Sequence, residues 1–263
     1  MILWCHVRPD LFVATRGQPY TMTHSTLALV GVAGGVGTTR TVVEMAATLG
    51  RADRSVAVLD AAFGTQGLAT YVDGRLTEDM TAVATDDAAL EDVLYDADYD
   101  VPGRVAFCPA HAPFERLARA KTPEAAQRVE RAIAEAGDRF DHVLLDVPPI
   151  AANQAVAALT TAHRRALVVP ATRRGTDLLP RQRGRLRDLD APADAVVATR
   201  TDAEDAVDMP DADVSVPAGD PVGPTALDPE SPLAPAVADT VETLLGVELA
   251  LEFEAEGVLD RLR

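Results

Sequence analysis

The sequence predicts an α/β fold in which a mostly parallel, twisted sheet carries helices on both faces. Short apolar segments of strand length alternate with longer segments of helical periodicity, and this alternation is typical of β-α-β units. Several of the apolar segments are nearly continuous, as expected for parallel strands that are buried on both faces. A glycine-rich stretch follows the first strand and opens the first helix, which predicts a ligand site at the carboxyl edge of the sheet.

We predict seven strands and five long helices in alternating order. The strands are Leu27–Val32, Ser55–Asp60, Arg104–Pro109, His142–Asp146, Arg165–Pro170, Asp194–Thr199 and Asp213–Val216. The helices are Thr39–Leu49, Pro123–Ala136, Asn153–Thr161, Thr176–Leu189 and Pro232–Leu245. The segment Tyr71–Val101 is expected to hold one or two helices with loops, and Ala203–Pro224 is expected to be mostly loop because it is rich in Asp and Pro.

The composition is strongly acidic, with 24 basic and 41 acidic residues and a net charge of −17. We interpret this acidity as typical of a salt-accumulating halophilic archaeon, in which surface carboxylates keep the chain in solution. It argues against a large nucleic-acid surface, which needs clustered cations. No uninterrupted apolar stretch of about 18 residues predicts a membrane span. The two cysteines, Cys5 and Cys108, have no metal-binding spacing, which favours a reduced cytoplasm.

The domain organisation is predicted from changes in pattern along the chain. Residues 1–22 have no pattern of a folded segment, so we interpret them as an extension or a misassigned start. Residues 23–245 form the predicted domain, and residues 246–263 form an acidic tail. In that tail Val247, Leu249 and Leu251 alternate with polar positions, which predicts a strand. The glutamates of the tail disfavour anchoring to an anionic membrane.

The glycine-rich loop is the most informative segment, and its chemistry suits a phosphate group. Gly34, Gly35 and Gly37 allow backbone N–H groups to converge on an anion without obstruction by side chains. The N-terminus of the following helix adds positive dipole character. Thr39 presents a hydroxyl where a phosphate-binding loop uses Ser or Thr to hold Mg²⁺. A tight strand-to-helix turn without a ligand is the structural alternative.

The order of several segments resembles the ParA/MinD family of P-loop ATPases, which belong to the SIMIBI class. Ala33–Thr39 is similar to the deviant Walker A loop of that family, which reads lysine-Gly-Gly-Val-Gly-lysine-Thr-Thr. Ser55–Asp60 resembles the second strand with its terminal Asp, and Asp141–Pro149 resembles the Walker B strand and switch II. Val196–Arg200 falls where the family has an Asn-Arg pair near the base. The resemblance covers roughly residues 25–245 and implies the P-loop NTPase fold.

The resemblance also implies a site for ATP or ADP with Mg²⁺. Its nucleotide-binding residues in this chain would be Gly34, Gly35, Val36, Gly37, Thr38, Thr39, Arg40, Thr199, Arg200 and Pro217. Thr39, Asp60 and Asp146 would hold the Mg²⁺, and the two aspartates would be the catalytic residues of an active enzyme. A protein partner is implied, either an active paralogue or a second copy of this chain in a homodimer.

Three positions depart from the family pattern. The phosphate-contacting lysine aligns with Thr38, and the signature lysine that reaches a partner's nucleotide aligns with Ala33. The family's second Asp after strand two aligns with Ala62. Because phosphoryl transfer depends on positioning and on charge stabilisation, these changes predict weak or absent hydrolysis. Arg40 is a nearby cation, but its helical position is expected to direct it away from the loop.

Three functions remain open on the sequence alone. The first is a weakly hydrolysing or non-hydrolysing regulatory module that positions cellular machinery. The second is a working Mg-ATP-dependent switch in which an arginine replaces the missing lysines, and the third is a structural interaction domain without nucleotide. Arginines concentrated in Arg164–Arg187 predict either a docking face for an acidic partner or a polyanion, or a solvated helix face.

Overall fold

The computed structural model describes residues 24–149, 152–219 and 223–253. The predicted extension at residues 1–22 and most of the predicted tail therefore lie outside the described residues. Within the part of the chain that is described, no helix is long and apolar enough to cross a membrane.

Eight strands of the described part of the chain form one central sheet, with the strand order β3-β4-β2-β5-β1-β6-β7-β8. All neighbouring strands are parallel except β3 and β4, which pair antiparallel. The strands are β1 (Ser25–Gly31), β2 (Val56–Asp60), β3 (Tyr95–Asp96), β4 (Val105–Cys108), β5 (His142–Val147), β6 (Arg164–Pro170), β7 (Ala195–Thr199) and β8 (Val214–Val216). The central strands are buried along nearly their whole length, which explains their continuous apolar sequences.

Helices cover both faces of this sheet. They are α1 (Thr38–Arg51), α2 (Met80–Asp86), α3 (Phe114–Arg119), α4 (Pro123–Arg139), α5 (Asn153–Thr161), α6 (Arg173–Asp188) and α7 (Leu233–Leu245), with 3-10 turns at Gly67–Tyr71, Leu90–Val93 and Thr225–Leu227. The crossover through α1 runs along the sheet in the opposite direction to the crossover through α4. Right-handed connections therefore put α1 and α4 on opposite faces. Helix α7 packs on α1, and α5 packs on α4.

The fold confirms the predicted class, and each of the seven predicted strands and five predicted helices has a counterpart. The region Tyr71–Val101 contains α2 and a 3-10 turn, as predicted, together with the short strand β3. The sequence did not predict β3 or α3. Helix α6 begins at Arg173 rather than at Thr176, because the Thr172 hydroxyl caps it by accepting a hydrogen bond from the Gly175 amide at 3.2 Å.

The predicted strand in the tail is wrong for the residues that are described. Residues 247–253 form no strand, although their burial alternates as the sequence pattern indicates. Gly246 ends α7 with a positive φ of 68°, and the Leu249 amide then donates to the Glu242 carboxylate at 2.7 Å. The described part of this segment therefore contacts α7 through the Leu249 amide and joins no strand of the sheet.

Candidate functional site

The glycine-rich loop joins the end of β1 to the start of α1 and has the tight conformation that its glycines permit. Gly35 and Gly37 have positive φ values of 74° and 97°, where a side chain would be strained. A Cβ atom at Gly31 would lie 2.6 Å from the Thr38 hydroxyl oxygen and 2.8 Å from the Ala33 carbonyl oxygen. The loop therefore closes tightly on the end of β1 and directs the first turn of α1 toward the carboxyl edge of the sheet.

Asp60 and Asp146 lie side by side at this edge, because β2 and β5 are neighbours and their register aligns the two residues. Asp60 is fully buried and accepts hydrogen bonds from the amides of Ala62 at 2.7 Å and Ala110 at 3.3 Å. Asp146 accepts a hydrogen bond from the Thr39 hydroxyl at 2.6 Å. The structure thus brings together all three residues that the sequence assigns to Mg²⁺.

The environment of the two aspartates disfavours two negative charges. Burial raises the pKa of Asp60 above its ordinary value, and the neighbouring Asp146 carboxylate raises it further. Burial also raises the pKa of Asp146, while the hydrogen bond from Thr39 acts in the opposite direction. No Lys or Arg forms an ion pair with either carboxylate among the described residues. A divalent cation would therefore find uncompensated negative charge here.

An open cavity of about 490 Å³ lies between the loop and the residues that follow β5. Its lining includes most of the loop residues that the sequence assigns to nucleotide binding, namely Gly34, Gly35, Gly37, Thr38, Thr39 and Arg40. Asp146 and Arg200 also line it, together with Pro148 and Pro149 of the predicted switch II. Asp60 does not reach the cavity surface, because it lies behind Ala62 and the backbone amides it accepts from.

A second cavity of about 280 Å³ adjoins the first and shares Gly37, Arg40, Tyr71 and Arg200 with it. The remaining predicted binding residues line this second cavity, namely Val36, Thr199 and Pro217. The Thr199 hydroxyl donates to the Val36 carbonyl oxygen at 3.0 Å, so it supports the loop from the end of β7. Every predicted nucleotide-binding residue thus lines one of two adjoining cavities.

The three positions that depart from the family pattern all face the larger cavity. Ala33, Thr38 and Ala62 line it, and none of them carries a charge. The charged groups that line it among the described residues are Arg40, Asp146 and Arg200. The cationic side of the site therefore depends on the two arginines.

Arg40 is engaged by another part of the molecule, as expected from its helical position. It donates to the Glu44 carboxylate at 2.6 Å and to the Thr225 hydroxyl at 2.8 Å. Glu44 is only 2% exposed and also accepts hydrogen bonds from the amides of Thr225 and Ala226. This cluster of Arg40, Glu44 and the Thr225–Leu227 turn connects α1 to the segment before α7.

Arg200 approaches the loop from the end of β7. Its Nη2 atom donates to the Gly35 carbonyl oxygen at 3.0 Å, and its backbone has a positive φ of 58°. Since positive φ is uncommon outside glycine, this geometry places the guanidinium over the loop at some cost in backbone strain. Arg200 is the one described cation that lines both cavities without a carboxylate partner.

Sequence reasoning missed two contributors to the site. Glu44 could have been found, because it lies four residues after Arg40 on a helix and such a pair interacts. Tyr71 lines both cavities from the turn that follows β2, but no local signal marks it, because its position depends on tertiary packing.

The loop at the carboxyl end of β1 and the mostly parallel sheet define the fold of a P-loop NTPase. The chain belongs to the AAA domain family, which it matches over residues 24–176. No curated protein matches the sequence.

Solved structures with the same fold have low sequence identity to this chain. MinD from Pyrococcus horikoshii, in complex with Mg-ADP, is 20% identical with a TM-score of 0.70, and the match covers 87% of this chain and 100% of that one. The MinC:MinD complex of Aquifex aeolicus gives 19% identity and a TM-score of 0.69 over 87% and 98% of the two chains. A McdA variant from Cyanothece in complex with ATP is 17% identical with a TM-score of 0.67, and the match covers 88% of this chain and 99% of that one. The fold is therefore that of MinD-like nucleotide-binding ATPases.

Proposed function

We propose that this protein is a ParA/MinD-like regulatory or positioning module of the cytoplasm that binds Mg-ATP or Mg-ADP and hydrolyses ATP weakly or not at all. The observation that carries the proposal is the lining of the larger cavity. Ala33, Thr38 and Ala62 stand where the family has two lysines and an aspartate, and each faces the cavity without a charge.

Nucleotide binding is supported by groups that do not depend on the missing lysines. Backbone amides of the loop and the N-terminus of α1 favour an anion, and a Cβ atom at Gly34 or Gly35 would meet nothing within 4 Å. The donor set of the Thr39 hydroxyl and the Asp146 carboxylate suits Mg²⁺, which prefers oxygen ligands and keeps several waters. The bound ion would neutralise charge on the phosphates. Asp60 lies beside Asp146 behind the cavity surface, and a bound Mg²⁺ would favour its ionised form.

Weak hydrolysis follows from the electrostatics of phosphoryl transfer. The reaction spreads negative charge over the transferred phosphoryl oxygens, and fixed cations stabilise that charge. Removing one such donor typically slows a reaction by about 10²- to 10³-fold. Arg40 is a poor replacement, because moving it toward the loop would deprive the buried Glu44 carboxylate of its cationic partner.

Two measurements on the full chain in molar KCl with Mg²⁺ test the proposal. A ligand that binds the native state raises the melting temperature, so ADP and ATP are expected to raise it in wild type and less so in Asp146→Ala. Phosphate release is expected to stay near background. Asp188→Ala, an exposed change on α6, serves as the matched control. ATP turnover that is robust in wild type and absent in Asp146→Ala would reject the proposal.

A second candidate is an active ATPase switch that dimerises around ATP. Arg200 favours it, because its guanidinium lies at the loop and lines both cavities. This candidate predicts robust turnover that Arg200→Ala abolishes, together with a shift from monomer to dimer when ATP is added. Sedimentation velocity with and without ATP distinguishes the two candidates.

The partner is proposed from the same resemblance. One solved structure of this fold is MinD in complex with MinC. By analogy we infer a protein partner for this chain, either an active paralogue or a second copy. Co-expression with ParA/MinD-like paralogues from the same cell, followed by affinity capture in high salt, tests this inference.

A further inference from the structure

A third cavity, of about 290 Å³, opens beside the short strand β3 at one edge of the sheet. Aromatic rings form much of its lining, with contributions from Tyr71, Tyr95, Tyr99 and Phe107. Only 4% of the residues in the chain are aromatic, and three of its four tyrosines line this one cavity. Such a concentration is unexpected in a chain this poor in aromatic residues.

Three of the four rings have defined hydrogen-bond or packing partners. The Tyr95 hydroxyl donates to the Glu78 carbonyl oxygen at 2.7 Å and accepts hydrogen bonds from the amides of Thr77 and Glu78. The Tyr99 and Phe107 rings lie edge to face, with centroids 6.2 Å apart and an interplanar angle of 75°. Phe107 is fully buried and supports the Tyr99 ring from behind, so the half-buried tyrosines are the rings available to a ligand. Ring faces attract cations through the quadrupole of the π system.

All the described charged residues that line this cavity are acidic. Asp73, Asp96 and Asp98 contribute to it, and no described Lys or Arg does. Asp96 pairs with Arg104 at 2.8 Å, whereas Asp73 and Asp98 have no ion-pair partner among the described residues. The cavity therefore combines aromatic walls with uncompensated negative charge.

The pKa of the Tyr99 phenol is consistent with a cavity that is partly buried and lined by negative groups. Burial raises the pKa of the Tyr99 phenol above its ordinary value, and nearby negative groups, including Glu44 and Asp73, raise it further. The general acidity of the chain explains acidic residues at any surface point, but it does not explain aromatic rings gathered around them.

We propose that this cavity binds an organic cation, a quaternary ammonium or guanidinium group, with the faces of Tyr71 and Tyr99 against the cation and with Asp73 and Asp98 supplying charge. Aromatic walls of this kind suit a diffuse, weakly hydrated cation and offer nothing to Mg²⁺, which requires oxygen ligands. The cation belongs either to a free small molecule or to an arginine side chain of a partner protein.

The test compares a cation with its neutral isostere. Choline and 3,3-dimethyl-1-butanol have the same shape and differ in charge, so both are titrated into the full chain at constant ionic strength and followed by ligand-observed NMR. Choline is expected to bind at least roughly five times more tightly than the neutral alcohol. Equal affinity for the two compounds would overturn the proposal, since an apolar cavity alone would give that result.

Variants assign the binding to the rings. Tyr99→Leu keeps an apolar side chain but removes the ring face, and it is expected to weaken choline binding by roughly 5- to 10-fold. Tyr99→Phe keeps the ring face and is expected to bind as wild type does. Tyr71 is left unchanged because it also lines the nucleotide cavities. Wild-type affinity in a Tyr99→Leu protein with a native circular dichroism spectrum would refute the site.

Two further probes identify the source of the cation. Tighter binding of arginine-containing peptides than of choline or arginine amide assigns the cavity to a partner's side chain, and the reverse order assigns it to a small molecule. The absence of saturable binding by choline, guanidinium and arginine amide up to about 100 mM, an affinity weaker than any specific site would show, would overturn the proposal.

Discussion

The two sides of the larger cavity differ in what they present to a nucleotide. On the carboxylate side, the Thr39 hydroxyl donates a hydrogen bond to Asp146. Asp60 lies beside Asp146, away from the cavity surface, and accepts hydrogen bonds from two backbone amides. On the opposite side, Ala33 and Thr38 are uncharged. Under the proposed function, holding a metal-bound nucleotide and accelerating its hydrolysis rest on separate groups, so the chain keeps the first capacity while losing the second.

The largest expected effect comes from restoring a cation to the uncharged side. Thr38→Lys is expected to raise ATP turnover by about 100-fold, since a fixed cation at this point stabilises charge on the transferred phosphoryl group. Phosphate release in molar KCl with Mg²⁺ measures the effect. Thr38→Met, similar in length and uncharged, is the control, and equal turnover in both variants would show that the missing charge is not what limits hydrolysis.

The next effect tests whether Arg40 serves the structure or the nucleotide. Glu44→Ala removes a buried carboxylate that binds Arg40 and two amides, so it is expected to lower the free energy of unfolding by about 3 kcal/mol. Glu135→Ala breaks an exposed pair of the same spacing with Arg139 and is expected to cost no more than about 0.5 kcal/mol. Urea titrations provide both values. Similar costs for the two variants would contradict a structural role for Arg40.

The two aspartates predict that the free energy of unfolding depends on pH, with a smaller effect than that of Glu44→Ala. Because the pKa values of Asp60 and Asp146 are raised in the folded state, the folded protein retains protons that the unfolded chain releases, and stability falls as the pH rises from about 4 through neutrality. Asp60→Asn is expected to remove about 1–2 kcal/mol of this decline. Unfolding titrations between pH 5 and 8, without nucleotide, compare the variant with wild type. Parallel curves would contradict a raised Asp60 pKa.

The smallest expected effect concerns the one arginine that lies over the loop. Arg200→Ala is expected to weaken ADP binding by roughly 3- to 10-fold, as loss of one charge-assisted hydrogen bond does, and to change the free energy of unfolding by less than about 1 kcal/mol. Calorimetric titration with Mg-ADP measures the affinity, with Arg187→Ala on α6 as the control. An unchanged affinity would assign Arg200 to loop support alone.

Most of the fold could be predicted from local patterns, because the periods of strands and helices depend on residues that are close together in the sequence. The glycine pattern predicted a loop at the carboxyl edge of the sheet, where the ends of parallel strands meet. The family resemblance, rather than a local pattern, pointed to Asp60 and Asp146, and the structure aligns them on neighbouring strands. The tail shows the limit of periodicity. The burial of residues 247–251 does alternate as predicted. A strand also needs a neighbouring strand with unpaired backbone groups, and here the Leu249 amide donates to Glu242 of α7 instead.

Features that depend on tertiary contacts were not predicted. Strand β3 contains two residues, too few for a period to be detected, and it exists because it pairs with β4. Tyr71 lines the nucleotide cavities and the aromatic cavity from a turn with no distinctive pattern. The burial of Asp60 behind Ala62 also depends on backbone amides that a sequence does not place.

Among the residues that the structure describes, the sheet ends in very short strands on both sides, with two residues in β3 and three in β8. An edge this short offers few unpaired backbone groups to a neighbouring molecule, so it cannot readily extend into an intermolecular sheet. Charge repulsion weakens when salt screens it or when acid neutralises carboxylates. Under those conditions the geometry of the two edges continues to protect the chain from strand-to-strand aggregation.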